Sequence, residues 1–284
     1  MFPDKIVAVT FATNRNSFLY KNYSMNVKKL EESLGKYGIP LVVYDPKKLK
    51  PVIENSDSKL YLLYNKGVGA WFWKPLIISD LMTKNNSKII LYLDADCVVT
   101  KDPNVVVSKL SPDEYNLYLF QQNLLIKKWT SQRCISLMGI SDENILNSRM
   151  KTAGIIVARS SAANIANLKV WSNHMRDPRK LIDQIGSRES HRHDQSILSL
   201  LCVSGKIQSK SLGNGFFSNG PESTCDSLAE SWVYTGDLDT TFSHQNFYKK
   251  WLNFLRHLKF QIMGYMYKTL IYPVQIILLK KNFF

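Results

Sequence analysis

A chain of 284 residues with a 45% apolar and 12% aromatic content is long enough to bury a large core, which excludes wholesale disorder. Its 37 Lys and Arg against 23 Asp and Glu leave a formal net charge of +14, so its expected partners are anionic: nucleic acid, an anionic membrane face or phosphorylated small molecules. The scattered Cys97, Cys134, Cys202 and Cys225, with no CxxC pair, argue against a disulfide framework or a structural zinc and for reduced thiols in a cytosolic protein.

The start, MFPDKIVAVTF, lacks the basic region and cleavage site of a signal peptide, so export is not expected. Lys5 to Phe11 reads as a buried strand, followed by a polar loop over Ala12 to Ser17 and a helix from about Tyr20 to Tyr37. Ile39 to Asp45 is a second strand, and this β-α-β order predicts a parallel sheet with helices on its faces. Gly69 to Lys84 is expected to be helical after Pro75, and Ile89 to Val99, IILYLDADCVV, to be one central strand. Tyr115 to Phe120 is a further strand. Thr152 to Ser161 is a strand running into a helix that continues through Trp171 to Met175, and His193 to Gly205 is helical. Ligands of such sheets sit beyond the carboxyl ends of the strands.

The central strand carries two carboxylates, Asp94 and Asp96, where an unpaired charge would cost several kcal/mol. Side chains at i and i+2 of a strand share a face, so the two are expected to converge on a hard cation where the sheet stops. Magnesium or manganese takes one or two carboxylates and fills its shell with phosphate oxygens and water. Turn and helix caps are the competing explanation for two loop aspartates.

YLDADCVV resembles the metal-binding segment of GT-A type glycosyltransferases, and four other segments agree in order. FATNRNSF resembles their nucleotide-binding edge, and GAWFWKP a G-Y-W-x-W-K-P segment of bacterial polysaccharide glycosyltransferases. KTAGIIVARS is similar to the N-A-G segment lining their sugar pocket, and HRHDQSILSLL to their H-x-H-D-Q-S helix start. The resemblance covers roughly Lys5 to Gly205. Relatives with the WxWKP segment often have D-A-G where this chain has Asp94-Ala95-Asp96, and WTSQRC, Trp129 to Cys134, matches a W-T-K-R-D run only in part, so it receives no role.

The resemblance implies a GT-A fold: α/β, with a Rossmann-like, mainly parallel sheet flanked by helices. It implies Mn2+ or Mg2+ on Asp94, Asp96 and His244, with Asp96 the main ligand and Asp94 contacting metal or ribose. Thr10, Phe11, Ala12 and Thr13 are placed around base and ribose, with Asn14 and Arg15 as ribose or phosphate contacts. Trp73 and Lys74 are placed near the diphosphate or donor sugar, and Ala153 and Gly154 form a small-residue floor for the sugar, where glycine admits close approach. Arg192, His193 and Gln195, with His191 beside them, are expected to contact phosphate or acceptor. Asp194 is the catalytic carboxylate, as a base on the acceptor hydroxyl or beneath the donor sugar. Each has a structural alternative: a helix cap for Asp194, a solvated lysine for Lys74, core for Trp71 and Trp73, a surface or packed residue for His244.

The last 45 residues carry seven Lys or Arg and no acid. Trp251, Phe254, Leu255, Leu258, Ile262, Tyr265 and Met266 recur at helical spacing, and a basic, aromatic, amphipathic helix of this type lies in a bilayer interface. Phe260 to Leu279 approaches spanning length, but Lys268 and Pro273 interrupt it. The expected domains are therefore residues 1–245, the glycosyltransferase domain, and 246–284, a membrane-associating tail. The reading is a metal-dependent enzyme moving a sugar from a nucleotide sugar, UDP-sugar first, to a lipid-linked or surface glycan. It is placed in the cytoplasm, peripheral on the inner membrane, as in capsule, O-antigen or lipooligosaccharide assembly. An idle scaffold of the same fold, a nucleotidyltransferase and a nucleic-acid-binding protein are the rivals. FATNRNS lacks the glycines of the second, and no helix-turn-helix, zinc-finger or RNP pattern supports the third.

Overall fold

The computed structural model describes residues 5–13, 24–53, 67–84, 89–108, 110, 116–182, 191–211, 217–218 and 233–235. Asn14, Arg15, Cys225, His244 and the tail 246–284 lie outside the described residues.

β1 (Ile6–Phe11) is buried along its whole length and pairs in parallel with both β2 (Leu41–Tyr44) and β3 (Ile89–Leu93). Parallel neighbours need a crossover, and α1 (Ser24–Gly35) lies on the path from β1 to β2, burying Leu30 and Leu34. α2 (Pro46–Ile53), the single turn α3 (Gly67–Ala70) and α4 (Lys74–Lys84) fall between β2 and β3. Pro75 sits in the first turn of α4, where a missing N–H removes no intrahelical bond.

The expected single strand IILYLDADCVV is instead two. β3 ends at Leu93, the chain turns over Asp94–Asp96 with the Cys97 amide donating to the Asp94 carbonyl (3.0 Å), and β4 (Cys97–Val99) leaves for another sheet. The carboxylates thus belong to a turn, and strand alternation does not govern where they go.

Further along come α5 (Asn104–Val107), β5 (Leu117–Leu125), α6 (Ile126–Trp129), α7 (Gln132–Leu137), α8 (Glu143–Leu146), β6 (Arg149–Arg159), α9 (Ala162–Met175) and α10 (Pro178–Leu181). α11 (His193–Val203), β7 (Ser209–Ser211), β8 (Phe217–Ser218) and β9 (Val233–Thr235) follow. Among the described residues a six-stranded sheet runs β2-β1-β3-β6-β5-β7, and a three-stranded one runs β4-β9-β8. β6 is antiparallel to both neighbours, so the main sheet is mixed although mostly parallel.

Side chains alternate between two cores, as a sheet covered on both faces requires. Val7, Val9, Phe11, Ile90, Tyr92, Ile156 and Ala158 pack with α4, α9 and α11, while Ile6, Ala8, Ile89, Leu91, Leu93, Ile155 and Val157 pack with α1.

The β5–β6 ladder breaks twice, from Leu119↔Ile156 to Gln121↔Lys151 and from there to Leu125↔Arg149. The first break throws Thr152 to Ile155 out of step with β5, and the second does the same to Gln122 to Leu124. Such irregularities re-aim side chains next to functional sites, and here the first presents Ala153 and Gly154 to the end of β3.

Candidate functional site

A cleft of about 410 Å³ opens where β1 and β3 end and the out-of-step part of β6 passes them. Its wall is formed by Phe11 to Thr13, Gly67 to Lys74 in part, Asp94 to Asp96, Gly154, and His191 to Gln195. This is the edge at which a mainly parallel sheet is expected to bind ligands.

The segment leading to Lys74 is left-handed at five successive residues. φ is +61° at Gly67, +50° at Val68, +91° at Gly69, +53° at Ala70 and +62° at Trp71. For a β-branched valine this is an outlier that the surroundings must hold in place. The Trp73 indole N–H donates to the Gly67 carbonyl (3.0 Å), and the Trp73 ring stacks on Phe11 with centroids 4.1 Å apart, fastening the segment to the end of β1. A Cβ on Gly67 would lie 2.4 Å from the Trp71 ring, so only glycine fits there.

The fold thereby drives the Lys74 ammonium into the protein. Its side chain is 4% exposed, and Nζ lies 3.1 Å from Asp94 Oδ1 and 3.0 Å from Asp194 Oδ2 while donating to the Ala153 carbonyl (3.1 Å). Burial works against the charged amine, but Asp194 and then Asp94 outweigh it and hold its pKa above the ordinary lysine value. The Tyr92 hydroxyl also donates to Asp94, and burial, then Asp94, raises its pKa well above the ordinary tyrosine value.

Asp194 occupies the first turn of α11 and is buried, and its carboxyl is pushed up to about 6. Burial is the main cause, opposed by Lys74 and reinforced by Asp94, which competes for the same ammonium. The helix-cap alternative for Asp194 does not hold, because Arg192 is the N-cap residue.

Gly154 packs directly on the carboxylate: a Cβ there would lie 2.8 Å from Asp94 Oδ2, and its carbonyl accepts from the Asp94 amide (2.8 Å). Asp94 is one-third exposed on the cleft and Asp96 is exposed. The cation beside Asp94 is thus a lysine in the first instance, a partner that the sequence, read for metal or ribose at this position, did not supply.

His191 and His193 are buried with rings 5.4 Å apart, edge to face. His193 Nδ1 donates to the Leu181 carbonyl (2.8 Å), His191 Nδ1 accepts from the Ser131 amide (3.3 Å), and the Gln195 amide donates to the buried Gln122 side chain.

Of the residues read from sequence, the fold brings Phe11, Ala12, Thr13, Trp73, Lys74, Asp94, Asp96, Gly154, Arg192, His193, Asp194 and Gln195 to this one cleft. Thr10 is fully buried in β1 and does not line it, and Ala153 reaches the site through its carbonyl. Gly67, Val68, Trp71 and Ala95 line it without having been foreseen. The pair of glycines before three aromatics was the available signal. Among the described residues no group of three or more His, Cys, Asp or Glu could hold a metal ion.

No protein-family model matches the chain, and neither does any curated protein sequence. Solved structures do. The chain is similar to mouse xyloside xylosyltransferase 1 in its apo form, with a TM-score of 0.52 and 10% identity, covering 84% of this chain and 100% of that one. It is similar to the apo bifunctional glycosyltransferase WbbM, with a TM-score of 0.51 and 10% identity, over 86% of this chain but 47% of that one. A glycosyltransferase involved in the glycosylation of the major capsid of PBCV-1 matches with a TM-score of 0.45 and 13% identity, over 81% of this chain and 92% of that one. At such identities the likeness is one of fold. The mixed, mostly parallel sheet, its flanking helices and the likenesses to the xylosyltransferase and to WbbM give the chain a GT-A-like glycosyltransferase fold.

Proposed function

We propose that the chain is a metal-dependent glycosyltransferase that moves a sugar from a nucleotide sugar, UDP-sugar first, to a glycan acceptor. The observation that carries the reading is the Asp94–Lys74–Asp194 triad, with Lys74 and Asp194 buried and Asp94 one-third exposed, lining a cleft at the carboxyl edge of a GT-A-like sheet. A buried carboxyl with a raised pKa on a cleft, here Asp194, marks a candidate functional site.

Lys74 fixes two carboxylates that come from distant parts of the chain, so both are oriented before substrate arrives. Asp194, with its pKa near 6, suits proton acceptance at neutral pH. Gly154, with no Cβ, lets the Asp94 carboxylate lie directly against β6, and Trp71, half-buried on the wall, offers an aromatic face to a base or sugar ring.

A divalent ion fits the donor chemistry of this edge. Asp96 presents a hard carboxylate to the cleft, and Asp94 lies beside it with one-third of its surface exposed. Two carboxylates suffice for Mg2+ or Mn2+ when phosphate oxygens complete the shell. Asp96 would be the main ligand and Asp94 the second, and the ion would supply Lewis-acid stabilisation of the departing diphosphate.

The acceptor is proposed to be lipid-linked or surface glycan. The basic, aromatic tail would hold the enzyme on the cytoplasmic face of a membrane that carries it. No helix among the described residues is long and apolar enough to cross a membrane.

A thermal-shift screen of nucleotide sugars with and without manganese tests the reading. A nucleotide sugar that raises the melting temperature in a manganese-dependent way is expected. A flat response across UDP-, GDP- and CMP-sugars contradicts it.

A further inference from the structure

The stretch Trp129–Ser131 joins α6 to α7 and braces the segment that leads into α11. The Trp129 carbonyl accepts from the Arg192 amide (3.2 Å) and from the Ser196 hydroxyl (2.9 Å), and the Ser131 amide donates to His191 Nδ1 (3.3 Å). The Arg192 guanidinium carbon lies 4.6 Å from the centre of the Trp129 ring. The brace is itself anchored, since Thr130 and Ser131 are buried and the Ser131 hydroxyl caps α7 by accepting from the Cys134 amide (3.3 Å).

A guanidinium lying against an indole uses the face of its π system, while its N–H donors stay in the plane and point to its edges. That arrangement fixes the plane of the fork and leaves its geometry suited to phosphate oxygens. Among the described residues that line the cleft, Lys74 and Arg192 carry a permanent positive charge. Lys74 is buried between two carboxylates, whereas Arg192 is half-buried on the cleft wall.

We propose that Trp129 is a positioning residue that holds Arg192 as the phosphate-binding cation of the cleft, so that the guanidinium takes phosphate oxygens of a nucleoside diphosphate. The proposal rests on the nucleotide-sugar reading of the cleft and adds to it a role for the WTSQRC run. The bonds from Trp129 to Arg192 and Ser196 use its backbone carbonyl and not its indole. The indole therefore acts on the orientation of Arg192 rather than on the path of the chain.

The test is calorimetric titration of the full chain with UDP, GDP, their nucleosides and inorganic pyrophosphate. Wild type is compared with Trp129→Phe, Trp129→Leu, Arg192→Lys and Arg192→Gln. Wild type is expected to bind a nucleoside diphosphate. Arg192→Gln should weaken that binding about tenfold or more, and Trp129→Leu about threefold to tenfold. Trp129→Phe, which keeps a ring, should stay within about twofold of wild type, and Arg192→Lys should fall with Arg192→Gln because it loses the planar fork. Nucleoside binding should not change.

Diphosphate binding by wild type that is equal in Arg192→Gln and Arg192→Lys overturns the proposal, even if Trp129→Leu fails to fold. Equal binding by a folded Trp129→Leu overturns the role of Trp129. Pyrophosphate binding that depends on Arg192, with no nucleoside diphosphate bound, keeps the anion site and removes the nucleotide-sugar reading. Binding of neither removes both.

Discussion

Lys74 Nζ lies 3.0 Å from Asp194 Oδ2 with both side chains almost wholly buried, so one ammonium ties the start of α4 to the start of α11. The same ammonium reaches Asp94 at the end of β3 (3.1 Å). Removing it leaves Asp194 as an uncompensated buried charge. Lys74→Met should therefore lose about 3–5 kcal/mol of stability at neutral pH, measured by urea unfolding. A loss within about 0.5 kcal/mol, the range of ordinary surface changes, would mean that the triad does not bear on the folded state.

The carboxyl of Asp194, raised to about 6 from 3.8, gives two dependences on pH. Activity should fall on the acid side with a midpoint near pH 6 as the carboxylate is protonated. Stability should move the other way. The folded state binds the proton more tightly than the unfolded one, so this residue's contribution is complete below about pH 4 and lost as pH rises through about 6. Wild type should then gain stability relative to Asp194→Asn between about pH 6 and pH 4. Parallel unfolding curves for the two proteins across that window would show that Asp194 titrates normally.

At Gly154 the requirement is space. Adding a methyl group places a carbon 2.8 Å from Asp94 Oδ2, so either the carboxylate or β6 must shift. Gly154→Ala should lower kcat/KM by about tenfold or more, since small misplacements near the chemistry are costly. Its circular dichroism should stay that of wild type. Full activity would place Asp94 outside the reaction.

Val68 is the expected stability gain. Left-handed backbone costs a non-glycine residue about 1–2 kcal/mol, and glycine's extra entropy offsets part of the relief. Val68→Gly should raise stability by about 1 kcal/mol at φ +50°. A lower melting temperature would show that the valine side chain holds the segment more than its backbone strains it.

The strands β1 and β3 and the later half of β6 were legible because burial on both faces makes each a mostly apolar run. α11 was legible from its periodicity and α4 from Pro75 near its start, while α9 was read as the helix into which the preceding strand runs. The turn at Asp94 was not, since apolar residues on both sides of it continue the strand pattern while the chain passes to a second sheet. Nor was the burial of Lys74. A lysine after aromatic residues reads as solvated, and its partners arrive from the end of β3 and the start of α11, contacts that no local pattern records. Trp71 shows the same limit, because its place on the cleft depends on φ +62°, a backbone state that tryptophan does not announce. Trp129 has its role through Arg192, far along the chain, so the WTSQRC run carried no signal on its own.

Release of nucleoside diphosphate from a panel of nucleotide sugars, with Mn2+ or Mg2+ and a glycan acceptor mixture, tests the function of the triad most directly. Wild type should release the diphosphate from at least one donor, and Asp194→Asn, in which the base is gone but the side-chain shape is kept, should fall by about a hundredfold or more. No release from any donor, or equal release by wild type and Asp194→Asn, would contradict it.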